Sequence, residues 1–166
     1  AIAVAIGLVG WSVALAGKPV KPPADEDPTG VFSSVDLTLI ASSGADYARG
    51  VAWDINDVDP ETNQRSVVGA VWTDESSLHA AYWEVSPNGD LLQSTLSLLP
   101  GGQVATGINR DGDVVGCGIV NGQAVGLYWD SPFQTPLALR PLAGHTSSEA
   151  YAINQDGVIC GVSRSH

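Results

Sequence analysis

The stretch Ala105-Thr106-Gly107-Ile108-Asn109-Arg110-Asp111-Gly112-Asp113-Val114-Val115-Gly116 decides the fold, because the chain repeats its plan. Ala52-Trp53-Asp54-Ile55-Asn56 leads through a polar segment to Val67-Val68-Gly69, and Ala150-Tyr151-Ala152-Ile153-Asn154 leads to Ile159-Cys160-Gly161. The closing glycines lie 47 and 45 residues apart, and Tyr82-Trp83 lies 46 residues before Tyr128-Trp129. One supersecondary unit therefore recurs about every 46 residues, the signature of a repeat architecture.

Within each unit the apolar runs are short and bounded by Gly, Asn, Asp and Pro, as strands require. Strand a is expected at Tyr47–Ile55, Gln103–Ile108 and Glu149–Ile153, and strand b at Val67–Trp72, Val114–Ile119 and Ile159–Val162. Strand c is expected at His79–Val85 and Ala124–Trp129, and strand d at Leu91–Leu98 and Leu137–Leu142, with Pro141 marking an edge because proline cannot donate to a ladder. Val35–Ile40 reads as strand d of a preceding unit. Asn88-Gly89 and Asn121-Gly122 are hairpin signals, so neighbouring strands run antiparallel. The expected fold class is all-β, with repeated four-stranded antiparallel units in a partial, open β-propeller-like array. A solenoid coil is usually shorter, and a sandwich would not need Ile-Asn and Tyr-Trp to recur.

The units are expected at about 35–98, 99–142 and an incomplete 143–166, together one β-repeat domain. Unit three stops after strand b, which leaves an apolar edge open to association, to be filled by missing sequence or a neighbouring copy. Composition agrees, with 19 Gly, 10 Pro and no Met in 166 residues. The net charge of −11 argues against nucleic acid or an anionic membrane as partner, since both would repel the chain, and admits divalent cations as guests.

Residues 1–16 carry no charge and end in Ala14-Leu15-Ala16, the small-x-small pattern of a signal-peptidase site, so a cut is expected before Gly17. A retained anchor or packed segment is the other reading, although a membrane-spanning helix needs about 20 residues. Residues 17–34 are Pro-rich and acidic, with little to bury, and read as a linker.

The pattern Ala105, Ile108, Asn109, Gly112, Val114, Val115, Gly116, together with His79-Ala80-Ala81-Tyr82-Trp83, resembles the HAF-repeat family of extracellular bacterial proteins over residues 35–166. Unit two departs from it with Val125-Gly126 in place of His-Ala, and unit one inserts six residues between Asn56 and Val67. The resemblance implies a secreted or cell-surface, propeller-like protein and supplies no catalytic residues.

The recurring residues are expected to serve turns and packing. Asn56, Asn109 and Asn154 should bond backbone beyond strand a, and Gly69, Gly116 and Gly161 should admit a neighbouring backbone. Trp83 and Trp129 should fill the space between sheets. Function is expected where the units differ. The longer loop in unit one sets Asp57, Asp59, Glu61 and Asn63 at alternating positions, hard oxygen ligands suited to Ca2+, against the plainer reading of a solvated acidic loop. It lacks the central Gly and distal Glu of a full calcium loop.

His79, His145 and His166 are isolated and no Gly-x-Ser-x-Gly elbow occurs. A non-catalytic binding or scaffold module, partnered by an extracellular protein or glycan, is thus the expected function; a propeller-type enzyme acting on extracellular glycan or ester substrates is the alternative. Cys117 and Cys160 flank their glycines on the same face of strand b in successive units, which predicts free thiols rather than a bridge.

Overall fold

The computed structural model describes residues 4–6, 11–15, 33–57, 64–73, 77–88 and 91–165. Among these residues thirteen strands follow in chain order. They are β1 (Val4–Ile6), β2 (Trp11–Leu15), β3 (Ser33–Asp36), β4 (Arg49–Ile55), β5 (Arg65–Trp72), β6 (Leu78–Asn88), β7 (Leu91–Leu98), β8 (Gly102–Ile108), β9 (Val114–Val120), β10 (Gln123–Trp129), β11 (Leu137–Leu139), β12 (Ser147–Ile153) and β13 (Ile159–Arg164). No helix occurs among the described residues.

β4-β5-β6-β7 and β8-β9-β10-β11 are two four-stranded antiparallel meanders in chain order, and β12-β13 supplies the first two strands of a third. β1-β2-β3 form a three-stranded antiparallel sheet ahead of them. All sheets are open, so the chain is an all-β array of repeated four-stranded units that does not close on itself. Asn121 and Gly122 both have positive φ, 52° and 77°, in the two-residue turn between β9 and β10. Asn88 is the last residue of β6 and pairs with Leu91 of β7, while Gly89 and Asp90 lie outside the described residues.

Several strands run one to three residues beyond the sequence expectation, β6 and β13 among them, and four other boundaries differ as follows. β4 begins at Arg49 rather than Tyr47, whose ring is buried in the preceding loop. β11 stops at Leu139, short of Leu142, where Pro141 has no N–H to donate to a ladder. β3 stops at Asp36 rather than Ile40. Beyond it the chain folds into a loop that buries Leu37 and Ala41 and touches β7 through a parallel bridge from Ala41 to Leu96. The linker assigned to 17–34 gives up Ser33 and Ser34 to β3.

One irregularity recurs in all three units. The a–b ladder slips at Trp53, at Thr106 and at Tyr151, leaving each as the extra residue of a β-bulge. Opposite each bulge sits the glycine of strand b. A Cβ on Gly69, Gly116 or Gly161 would overlap the carbonyl oxygen of Val51, Val104 or Glu149. Bulge and glycine are therefore one device, in which the kinked strand leans its carbonyl into the space a side chain would occupy.

Two apolar layers hold the array. Val67, Val71, Ala81, Trp83, Val85 and Leu96 face back towards Leu37, Ala41 and Tyr47. The opposite face of the same sheet gives Val68, Ala80 and Tyr82 to a second layer with Ala105, Ile108, Val114, Leu127 and Trp129. Trp83 and Trp129 are each 1% exposed, and each indole N–H donates to a carbonyl of the segment leading into strand a, Thr38 O at 2.9 Å and Pro100 O at 3.0 Å. The recurring Trp thus carries a large apolar area and a satisfied polar tip between sheets.

Candidate functional site

Residues at the facing ends of β4 and β5, Tyr82 and Glu84 of β6 and the β8–β9 turn of unit two line a polar cleft of about 450 Å³. Its base begins with the recurring Asn. Asn56 Oδ1 accepts from Ser66 N–H, Asn109 Oδ1 from Asp113 N–H, and Asn154 Oδ1 from Asp156 and Val158 N–H. The side chain thereby replaces backbone partners that a tight turn leaves unmet. Gly112 and Gly157 take φ of 88° and 74° in the two short turns, as their Asp-Gly sequences require.

The residue capped by each Asn then reaches the Tyr of strand c. Ser66 Oγ lies 2.6 Å from Tyr82 Oη, and Tyr128 O–H donates to Asp113 Oδ1 at 3.1 Å. This Asn to backbone to Tyr chain explains why Tyr recurs beside Trp. In unit three the residue at the position of Ser66 and Asp113 is Val158, which has no such group to offer.

Residues that differ between the units line the cleft above this base. They are Asp57, Gln64, Arg65 and Glu84 from unit one and Arg110 from unit two, joined by Asp111, which recurs as Asp156 in unit three. Arg110 crosses to Asp57 Oδ2 at 3.0 Å, with both side chains 65% exposed, while its backbone N–H donates to Gln155 Oε1 of unit three. Burial pushes the Tyr82 phenol above its ordinary value; the Ser66 bond lowers it and the Glu84 charge raises it further. A phenol held neutral donates and accepts hydrogen bonds, and is poorly suited to act as base or nucleophile near neutral pH.

Of the calcium ligands suggested by the sequence, Asp59, Glu61 and Asn63 lie outside the described residues. Asp57 is described, and its carboxylate faces the Arg110 guanidinium, which any cation there would have to displace. Among the described residues no three His, Cys, Asp or Glu side chains converge as metal ligands. The Asn109–Asp113 turn spends its polar groups on itself, since Asn109 Nδ2 donates to Asp113 Oδ2.

Two of the three histidines are described. His79 packs edge-on against Tyr47 with ring centroids 5.8 Å apart, His145 Nδ1 lies 2.9 Å from Ser163 Oγ, and His166 lies outside the described residues. Cys117 and Cys160 are both free thiols. Burial raises the Cys117 thiol above its ordinary value and the Glu149 charge adds to it, whereas Cys160 is exposed.

Units are also stitched edge to edge. Asp54 bridges its own bulge to the next unit, accepting from Ile55 N–H and Ile108 N–H, and Thr106 Oγ1 donates to Ala150 O. Sequence reasoning missed Asp54, Tyr82 and Arg110. The signal for Tyr82 was present in its recurrence, but that for the other two was not, because each acts only through the neighbouring unit. Compared with known proteins, the chain matches no family model, no curated protein and no solved structure.

Proposed function

We propose that this chain is a secreted or cell-surface β-repeat protein of the HAF type, acting as a non-catalytic binding or scaffold module for an extracellular protein or glycan. The observation that carries this reading is the cleft between the first two a–b turns, where non-repeated charged residues stand on a repeated, hydrogen-bonded base. Its mixture of carboxylates, guanidinium groups and neutral hydroxyls suits a polar, hydroxyl-rich ligand better than an apolar one. Export is supported by the uncharged residues 1–16 and their Ala14-Leu15-Ala16 ending. Cleavage before Gly17 would remove β1 and β2, of which β2 pairs with β3 and β1 with β2. Ca2+ held by Asp57, Asp59, Glu61 and Asn63 belongs to the same proposal.

The test is binding of the full chain to an immobilised panel of extracellular glycans and surface proteins. Saturable binding that weakens about tenfold in Arg110→Ala is expected, the loss of one charge-assisted contact of about 1.4 kcal/mol. Binding indifferent to Arg110, Arg65 and Glu84 would remove the cleft from the proposal. Turnover of a glycan or ester would replace it with the enzymatic reading.

A further inference from the structure

The charges around the polar cleft do not cancel. Asp57 and Arg110 neutralise each other at 3.0 Å. Arg65, Glu84 and Asp111 remain, and among the described residues none of them forms an ion pair, which leaves one guanidinium against two carboxylates. The chain as a whole carries a net charge of −11 and adds a field of the same sign. An anionic ligand is therefore disfavoured and a cationic one drawn in.

Of the two carboxylates, Glu84 has neutral hydroxyls beside it. Ser66 pairs with Glu84 across β5 and β6 and Val68 pairs with Tyr82, so Ser66, Tyr82 and Glu84 share one face of the sheet, the face whose Val68 and Ala80 pack towards unit two. The Ser66 and Tyr82 hydroxyls, 2.6 Å apart, share one hydrogen bond. Each hydroxyl has one proton and two lone pairs, so the pair keeps one O–H donor and further acceptor positions to offer a ligand. The Glu84 charge raises the Tyr82 phenol, which puts the carboxylate within electrostatic reach of that hydroxyl. Arg110 commits one guanidinium N–H to Asp57 and keeps others for a hydroxyl oxygen.

Taking this cleft as a glycan site, the reading on which the inference rests, we propose that it selects an amino sugar whose amine is free and protonated. The ammonium bonds Glu84, a neighbouring hydroxyl of the same ring meets the Tyr82–Ser66 pair, and Arg110 donates to a second hydroxyl. A lone ammonium would be satisfied by any exposed carboxylate. An ammonium flanked by hydroxyls needs a carboxylate beside neutral hydroxyls, and β5 and β6 set these side by side. Acetylation removes the positive charge, so the N-acetylated sugar keeps the hydroxyl contacts and loses the one to Glu84.

The test is calorimetric titration of the full chain with a short glucosamine oligomer and with the same oligomer N-acetylated. The glucosamine oligomer is expected to bind at least about tenfold tighter, the difference made by one charge-assisted contact. Glu84→Gln should abolish that preference and leave the affinity for the acetylated oligomer unchanged, whereas Arg110→Ala should weaken both oligomers alike. Asp46→Asn, which removes an exposed carboxylate from the loop ahead of β4, should alter neither. Equal affinity for the two oligomers would overturn the proposal. So would an equal loss of preference in Asp46→Asn and Glu84→Gln, which would assign the preference to net charge alone. If neither oligomer binds while another glycan or protein binds in an Arg110-dependent way, the amino-sugar assignment falls and the cleft stands; if no binding depends on Arg110, the cleft falls as well.

Discussion

Strand b of units one and two differs from strand b of unit three in surroundings far more than in sequence. Val67, Val68, Gly69, Ala70 and Val71 are buried in β5, and Val114, Val115 and Gly116 in β9. Ile159, Cys160, Gly161 and Val162 are not, although they follow the same template. The bulge opposite them is intact in all three units. Local geometry is therefore written into each a–b pair, while burial is granted by strands c and d and by the following sheet.

Substitutions at equivalent positions sharpen this contrast. Trp129→Ala empties the layer between units one and two and is expected to cost about 3–5 kcal/mol in urea unfolding. Trp53→Ala, at a bulge residue 61% exposed, should change stability by less than about 0.5 kcal/mol. Comparable losses for the two would mean that Trp53 is packed in solution.

Gly116→Ala and Gly161→Ala place a methyl against the same type of carbonyl. Gly116 lies between two neighbouring strands and should lose about 2–3 kcal/mol, near the top of the overpacking range. At Gly161 β13 can shift outward, so about 1 kcal/mol is expected, with faster amide exchange confined to β12 and β13. Equal global losses would show that unit three is as constrained as unit two.

The thiols report the same difference without altering the fold. Cys160 should react with a thiol reagent at least about tenfold faster than Cys117, whose burial and raised pKa both reduce its thiolate fraction. Mass spectrometry of timed alkylation reads the order directly, and a reversed order would place a cover over β13.

Tyr82 gives a smaller, pH-dependent effect. Because its pKa is raised in the folded state, the stability it contributes is fully present below the ordinary value of about 10 and is lost as pH rises through the folded value. The urea midpoint should hold up to about pH 9 and fall above 10, less steeply in Tyr82→Phe. That variant should also lose about 1 kcal/mol at neutral pH with the Ser66 bond. An unchanged profile would mean that Tyr82 ionises freely.

Much of the architecture was legible because it repeats. The spacing of the glycines, of Ile-Asn and of Tyr-Trp located every strand from β4 to β13, and Asn121-Gly122 specified its turn by the positive φ that only such residues adopt readily. The bulges at Trp53, Thr106 and Tyr151 were not legible, because the extra residue is of a different type in each unit and shows itself only as a slip in pairing. The early end of β11 was half legible. Pro141 announced an edge, but its missing N–H also marks where the ladder has already ended, at Leu139.

The candidate site divides along the same line. The sequence by itself determined the strand units, their turns, the burial of Trp83 and Trp129 and the separation of Cys117 from Cys160, since each follows from spacing and side-chain chemistry within a unit. Only the tertiary structure decided that Arg110 meets Asp57 and that Asp54 binds the backbone of the next unit. These contacts join residues about 50 positions apart in different units, and the angle at which one sheet stacks on the next is set by packing across the layer, which no periodicity along the chain records.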